Sequence, residues 1–153
     1  MYFKFDETGL FWKKMPSRTH MHKSAKQAPV FRAWKDRLTL VLCGKAARHM
    51  IKPGVVYCKK NVRALRNKNK KFLPVFWQHN LKAWVTAMLF TEWFHQCFIP
   101  EVEEYLENEG LPLKVLLIID NAPGHPQSIS IEDENVQVVF TPPNTTSLLQ
   151  PID

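Results

Sequence analysis

The sequence predicts an α/β fold, a mixed β-sheet flanked by helices. Three observations point there. Apolar segments with strand character, separated by turn residues, fall within the first 58 positions. Between Thr86 and Gly110 the apolar period becomes helical. Two more apolar runs, Lys114–Asp120 and Val136–Phe140, then follow with a turn-rich segment between them.

The first strand is Met1–Phe5, where aromatic residues alternate with others; Asp6, Glu7 and Thr8 follow, and Gly9 is placed to break it. Residues 10–36 mix aromatic and basic side chains, including Trp12 and Trp34, and read as irregular or edge structure in which both indoles pack. Arg37–Cys43 is a continuous apolar strand ended by Gly44, and Pro53-Gly54 heads the strand Val55–Cys58. Lys59–Lys71, KKNVRALRNKNKK, reads as a charged loop or a short frayed helix. In the helical segment Leu89, Phe90, Trp93, Phe94, Cys97 and Phe98 share one face, so that spacing makes Phe90, Trp93, Phe94 and Phe98 core. Thr86 is its N-cap, Pro100 kinks or restarts it, and Gly110 ends it. Nothing alternates in Lys114–Asp120, which predicts a strand buried on both faces. A short helix or loop leads to the last strand, then Asn144 and Thr145 form a turn before Ser147 and the start of another helix. Three strands in hairpin succession, then strands alternating with helices, match the ribonuclease H-like architecture, and other α/β folds share the pattern.

Length and composition set the frame. At 153 residues, 45% of them hydrophobic, the chain is one domain with a core of its own. Its three cysteines, Cys43, Cys58 and Cys97, are odd in number and form no CxxC pair, which argues against a disulfide framework or a zinc finger and for a reducing compartment. No apolar run approaches the roughly 18 residues of a membrane span, so no membrane role is expected. Charge is divided unevenly. Residues 1–91 carry 20 Lys and Arg against 3 Asp and Glu, a net of +17, while residues 92–153 carry 1 against 11, a net of −10; the whole is +7. Such asymmetry suits a polyanionic partner for the first half or a solvated basic face. Within that half, Arg63, Arg66, Lys68, Lys70 and Lys71 are the candidates for nucleic-acid phosphate contacts.

The stretch KVLLIIDNAPGH is the most informative. A carboxylate at the carboxyl end of a central strand lies where α/β folds bind ligands, and Asn121-Ala-Pro-Gly124 turns the chain sharply after it. Alone, this Asp would read as a turn or helix cap. Asp6, however, also ends an apolar strand, and Asp153 closes the segment Leu148–Ile152 that precedes it. Adjacent central strands would bring Asp6 and Asp120 together. Glu7 reads as a strand-end or loop carboxylate rather than a further ligand, and His125 as a hydrogen-bonded structural histidine.

Taken together, Asp6-Glu-Thr-Gly-Leu-Phe-Trp12, Ile119-Asp-Asn-Ala-Pro-Gly-His125 and Thr141-Pro-Pro-Asn-Thr-Thr-Ser-Leu-Leu-Gln-Pro-Ile-Asp153 resemble the DDE superfamily endonuclease domain of pogo/Tigger-type transposases, with their jerky and centromere protein B relatives. Phe11–Arg18, Lys35–Leu40 and Leu89–Phe94 agree as well, so the resemblance spans essentially the whole chain. It implies a ribonuclease H-like fold in which Asp6, Asp120 and Asp153 are the catalytic carboxylates and the metal ligands, around a two-metal Mg2+ or Mn2+ site. It also implies a single partial domain, residues 1–153, with a helix-turn-helix region expected upstream and the fold truncated before its final helix. The implied partner is DNA, the implied place the nucleus. A homo-oligomer or a protein partner would cover the face the final helix leaves. The function so implied is DNA binding with ancestral endonuclease and strand-transfer chemistry; the alternative is a non-catalytic domesticated or relic domain that binds DNA or protein.

Overall fold

The computed structural model describes residues 1–12, 37–46, 48–131, 133–142 and 145. Its centre is a six-stranded mixed sheet built from β1 (Tyr2–Phe11), β2 (Arg37–Gly44), β3 (Gly54–Tyr57), β4 (Phe76–His79), β5 (Val115–Ile119) and β6 (Val136–Phe140), in the order β4-β3-β2-β1-β5-β6. β1, β2 and β3 form an antiparallel meander, whereas β5 and β6 run parallel to β1. That arrangement is ribonuclease H-like, with β4 added as an edge strand parallel to β3.

Alternation along the strands sorts side chains to two faces. Phe3, Phe5, Val41, Cys43, Val56, Leu117, Ile119 and Val138 face the helices and are buried. The helical layer covers them with Leu89, Phe90 and Trp93 of α1 (Ala87–Trp93), then Phe94, Cys97 and Phe98, then Val102 and Leu106 of α2 (Ile99–Asn108). Phe5 stands at the centre, its ring edge-on to Phe90 at 5.0 Å and 4.9 Å from the Trp93 ring. The expected core aromatics are thus where their spacing put them.

Thr86 caps α1 by accepting a hydrogen bond from the Leu89 N–H. The expected kink precedes Pro100 rather than falling on it. Residues Phe94–Phe98 form one π turn, and Pro100 sits in the first turn of α2. Proline has no N–H to donate to the previous turn, and widening that turn removes the clash its ring would otherwise make. At the other end Gly110 takes φ +65°; its N–H bonds to the Glu107 carbonyl and that of Leu111 to the Leu106 carbonyl, a Schellman ending.

Several sequence expectations are corrected. β1 does not break at Gly9 but pairs with β2 from Lys4↔Gly44 to Phe11↔Arg37, so Asp6 lies inside a strand instead of ending one. Gly9 is needed for closeness: a Cβ there would come within 2.8 Å of the Arg37 Nε that lies across it. β5 is buried fully on one face only; Leu116 and Ile118 are half-buried. β4 was not anticipated. The basic segment forms two short 3-10 turns, Arg63–Leu65 and Lys70–Phe72, with no buried residue in either. Because β3 and β4 are parallel, residues 58–75 must cross back along the sheet. On the sheet face opposite the helices, Val55 and Tyr57 are almost fully buried. Trp34 and Asn144 lie outside the described residues; the Thr145 hydroxyl donates to the Pro142 carbonyl. Trp12 is half exposed instead of packed away.

Candidate active site

The carboxyl ends of β1 and β5 assemble the acidic residues. The parallel ladder pairs Tyr2 with Leu116, Phe3 with Leu117 and Lys4 with Ile118. The ladder ends two residues short of Asp6 and of Asp120, which its register, if continued, would set opposite each other. Asp6 is buried and its Oδ1 accepts from the Glu7 N–H at 2.7 Å. Asp120 is the first residue past β5, released from the ladder by the turn in which the His125 N–H bonds back to the Ala122 carbonyl. The sheet therefore carries two of the three expected acids on the neighbouring segments β1 and β5, with the Asp120 side chain turned to His125 and that of Asp6, by alternation, away from it, while Asp153 lies outside the described residues.

Two residues read in the sequence as bystanders belong to this site. The His125 imidazole is buried between Phe5 (5.1 Å) and Phe90 (4.8 Å). Its Nδ1 lies 3.1 Å from the Asp120 carbonyl and 2.6 Å from Asp120 Oδ1. A carbonyl only accepts, so Nδ1 carries the proton. That N–H is directed to the carbonyl, and its contact with Oδ1 is chiefly electrostatic, leaving Oδ1 without an aligned hydrogen bond. On the far side of the ring, Nε2 faces Glu7 Oε1 at 3.9 Å. Alternation from Phe5 was the available signal: it places Glu7 on the helix-facing side, where His125 is.

The charges shift one another in consistent directions. His125 holds the Asp120 carboxyl below its ordinary 3.8, outweighing burial, which pushes the other way. Burial alone would depress the His125 imidazolium; the Asp120 carboxylate and carbonyl, then Glu7, more than reverse this and raise it above 6.5. Burial raises the Glu7 carboxyl, with His125 opposing and the negative charges of Asp120 and Asp6 adding to it.

The carboxylates of Asp6 and Asp120 are the hard oxygen donors that magnesium or manganese takes, and Asp120 Oδ1 already lies 2.6 Å from His125 Nδ1. Among the described residues, no three His, Cys, Asp or Glu side chains are gathered closely enough to hold a metal by themselves. The basic candidates lie on the β3–β4 crossover. Arg63, Arg66, Lys68 and Lys70, with Asn61 and Asn69, line a cavity of about 740 Å³. Lys70 Nζ donates to the Lys60 carbonyl, and Asn69 caps the second turn through the Lys71 N–H, so the crossover closes on itself. Lys71 is exposed beside it. No helix among the described residues is long and apolar enough to cross a membrane.

The sheet order and its flanking helices define the class: a ribonuclease H-like α/β domain, with one aspartate inside β1 and another just past β5. Residues 35–153 match the DDE superfamily endonuclease family, and the chain belongs to it. It is 36% identical over 154 residues to the Jerky protein of Mus musculus, covering 99% of this chain and 27% of that protein. The Jerky protein homolog of Homo sapiens is 35% identical with the same coverage. The Tigger transposable element-derived protein 7 of Homo sapiens is 34% identical, over 97% of this chain and 28% of that protein. A transposase-derived origin follows from that kinship, and the chain spans little more than a quarter of the length of these relatives. No solved structure matches it.

Proposed function

We propose that this chain is the DNA-binding, endonuclease-type domain of a transposase-derived nuclear protein, with Asp6 and Asp120 as metal-holding acids and Asp153 as the third. The observation that supports the reading is the register: a parallel ladder between β1 and β5 that ends two residues before each of two aspartates 114 positions apart in the chain. Magnesium or manganese held there would activate a water or 3′-hydroxyl and stabilise the leaving oxygen of a phosphodiester. The chain's own residues supply the positioning. His125 fixes the Asp120 carboxylate against the turn, and its burial between two phenyl rings keeps it from swinging away. Glu7 stands behind that imidazole and balances its charge. Arg63, Arg66, Lys68, Lys70 and Lys71 bind the phosphate backbone without regard to sequence.

Plasmid nicking in magnesium or manganese, wild type against Asp120→Ala, tests the chemistry. Nicking that vanishes in the variant supports it; activity indifferent to the substitution overturns it. A second reading, a non-catalytic module that binds DNA, is favoured by one observation: the protonated side of His125 sits 2.6 Å from Asp120 Oδ1 and can neutralise that carboxylate without a metal. Salt-dependent DNA binding with no nicking in either metal would select it.

A further inference from the structure

Beyond the acids, one line of side chains at the same rim has no part in the reading above. Glu7 interacts electrostatically with Arg37, whose guanidinium lies 5.7 Å from the centre of the Trp84 ring. Arg37 pairs across the strands with Phe11, which alternation places on the same face as Gly9 and Glu7. Trp84 is 55% exposed and Phe11 46%. Two accessible aromatic rings thus flank one cation, a few side chains from Asp120. Arg37 Nε is buried with no hydrogen-bond partner.

The presentation of Trp84 is built. The turn before it is closed by the Ala83 N–H on the Asn80 carbonyl (2.8 Å) and the Lys82 N–H on Asn80 Oδ1 (2.8 Å). Ala83 takes φ +52°, a conformation an alanine adopts only under constraint, and is itself fully buried. The constraint is visible: the Thr39 hydroxyl of β2 donates to the Ala83 carbonyl at 2.6 Å. The fold spends backbone strain to hold a large indole outward, beside an arginine, at the edge of the acidic site.

We propose that Trp84, Arg37 and Phe11 form a stacking platform for an unpaired nucleobase of DNA at the edge of the acidic site. Every base has a π-face, so an indole takes any of them, and the guanidinium adds attraction to the ring and to the neighbouring phosphate. The ligand is DNA with an unstacked base, a frayed end or a single strand, in preference to a closed duplex. This rests on the DNA-binding reading of the domain.

The test compares a single-stranded oligonucleotide, a forked duplex with 2-aminopurine in its unpaired arm, and a blunt duplex, at low salt, with the full chain. Trp84→Ala should weaken single-strand and fork binding roughly tenfold, restore the quenched 2-aminopurine fluorescence, and change blunt-duplex binding less than about twofold. Trp84→Phe should recover most of the loss, and Arg37→Lys should keep duplex binding while losing part of the fork preference. Melting curves on each variant confirm that it folds. Equal loss on all three DNAs, or no loss on any, overturns the platform alone. If the wild type binds no DNA in any form, the DNA-binding reading falls and the platform with it.

Discussion

The acidic rim and the basic crossover lie on one molecule and are built in opposite ways. At the rim, Asp6 and Asp120 hang from central strands, and His125 is locked by two aromatic rings and a carbonyl. In the crossover, Arg63, Arg66, Lys68, Lys70 and Lys71 ride on 3-10 turns that bury nothing and close on their own backbone. The difference follows from what each is suited to do. Metal chemistry needs oxygens held within fractions of an ångström, which only a packed sheet provides. Phosphate contact is long-ranged and tolerant, so solvated side chains on a loop suffice.

That contrast can be broken first at the rim. Asp120→Ala should cut metal-dependent nicking by more than the roughly 100-fold seen when outer-shell partners of a metal are lost, and it should lower the melting temperature too by taking away the partner of His125. Nicking at the wild-type rate in Asp120→Asn would make Asp120 a structural residue. Next comes pH, measured in chelator. His125, raised above 6.5, contributes stability that is fully present below that value and is lost as pH rises through its folded-state pKa. Asp120, lowered from 3.8, contributes stability present above that value and lost as pH falls through its depressed pKa. Stability should therefore peak between about 4 and 6.5, and His125→Gln should flatten the alkaline side of the thermal-melt profile. A smaller effect is expected in the crossover. Arg66→Ala should lower the slope of log affinity against log salt by about 1 while shifting stability by no more than about 0.5 kcal/mol. Unchanged salt dependence would remove Arg66 from the DNA contact. Smallest is Thr86→Ala, which touches neither region; losing a long 3.4 Å cap should cost about 0.5–1 kcal/mol by denaturant melts and leave DNA binding alone.

Much of this was legible in the chain. The period of Leu89–Phe98, the Thr86 cap, the Gly110 ending and the strand before Asp120 are local signals, and each is where local rules put it. The errors came from interactions that are not local. Gly9 looked like a breaker because isolated glycines weaken strands, but here the Arg37 side chain needs the space. β4 has four residues and is held by a partner 22 positions earlier, too short to carry a period of its own. Glu7 could be read only as a strand-end or loop carboxylate and His125 as the hydrogen-bonded histidine it is, since what joins the two is a ring seated between Phe5 and Phe90.

The neighbouring carboxylates of β1 give the register a strict meaning. Alternation sends Glu7 toward His125 and Asp6 to the other side, so their roles differ only by parity. Shifting β1 by a single residue against β2 would exchange the two and seat a longer acid where the shorter one belongs. Substitutions along Tyr2–Phe5 can be tolerated wherever side-chain volume is conserved; a change in length cannot. In this strand the spacing is under tighter constraint than the letters.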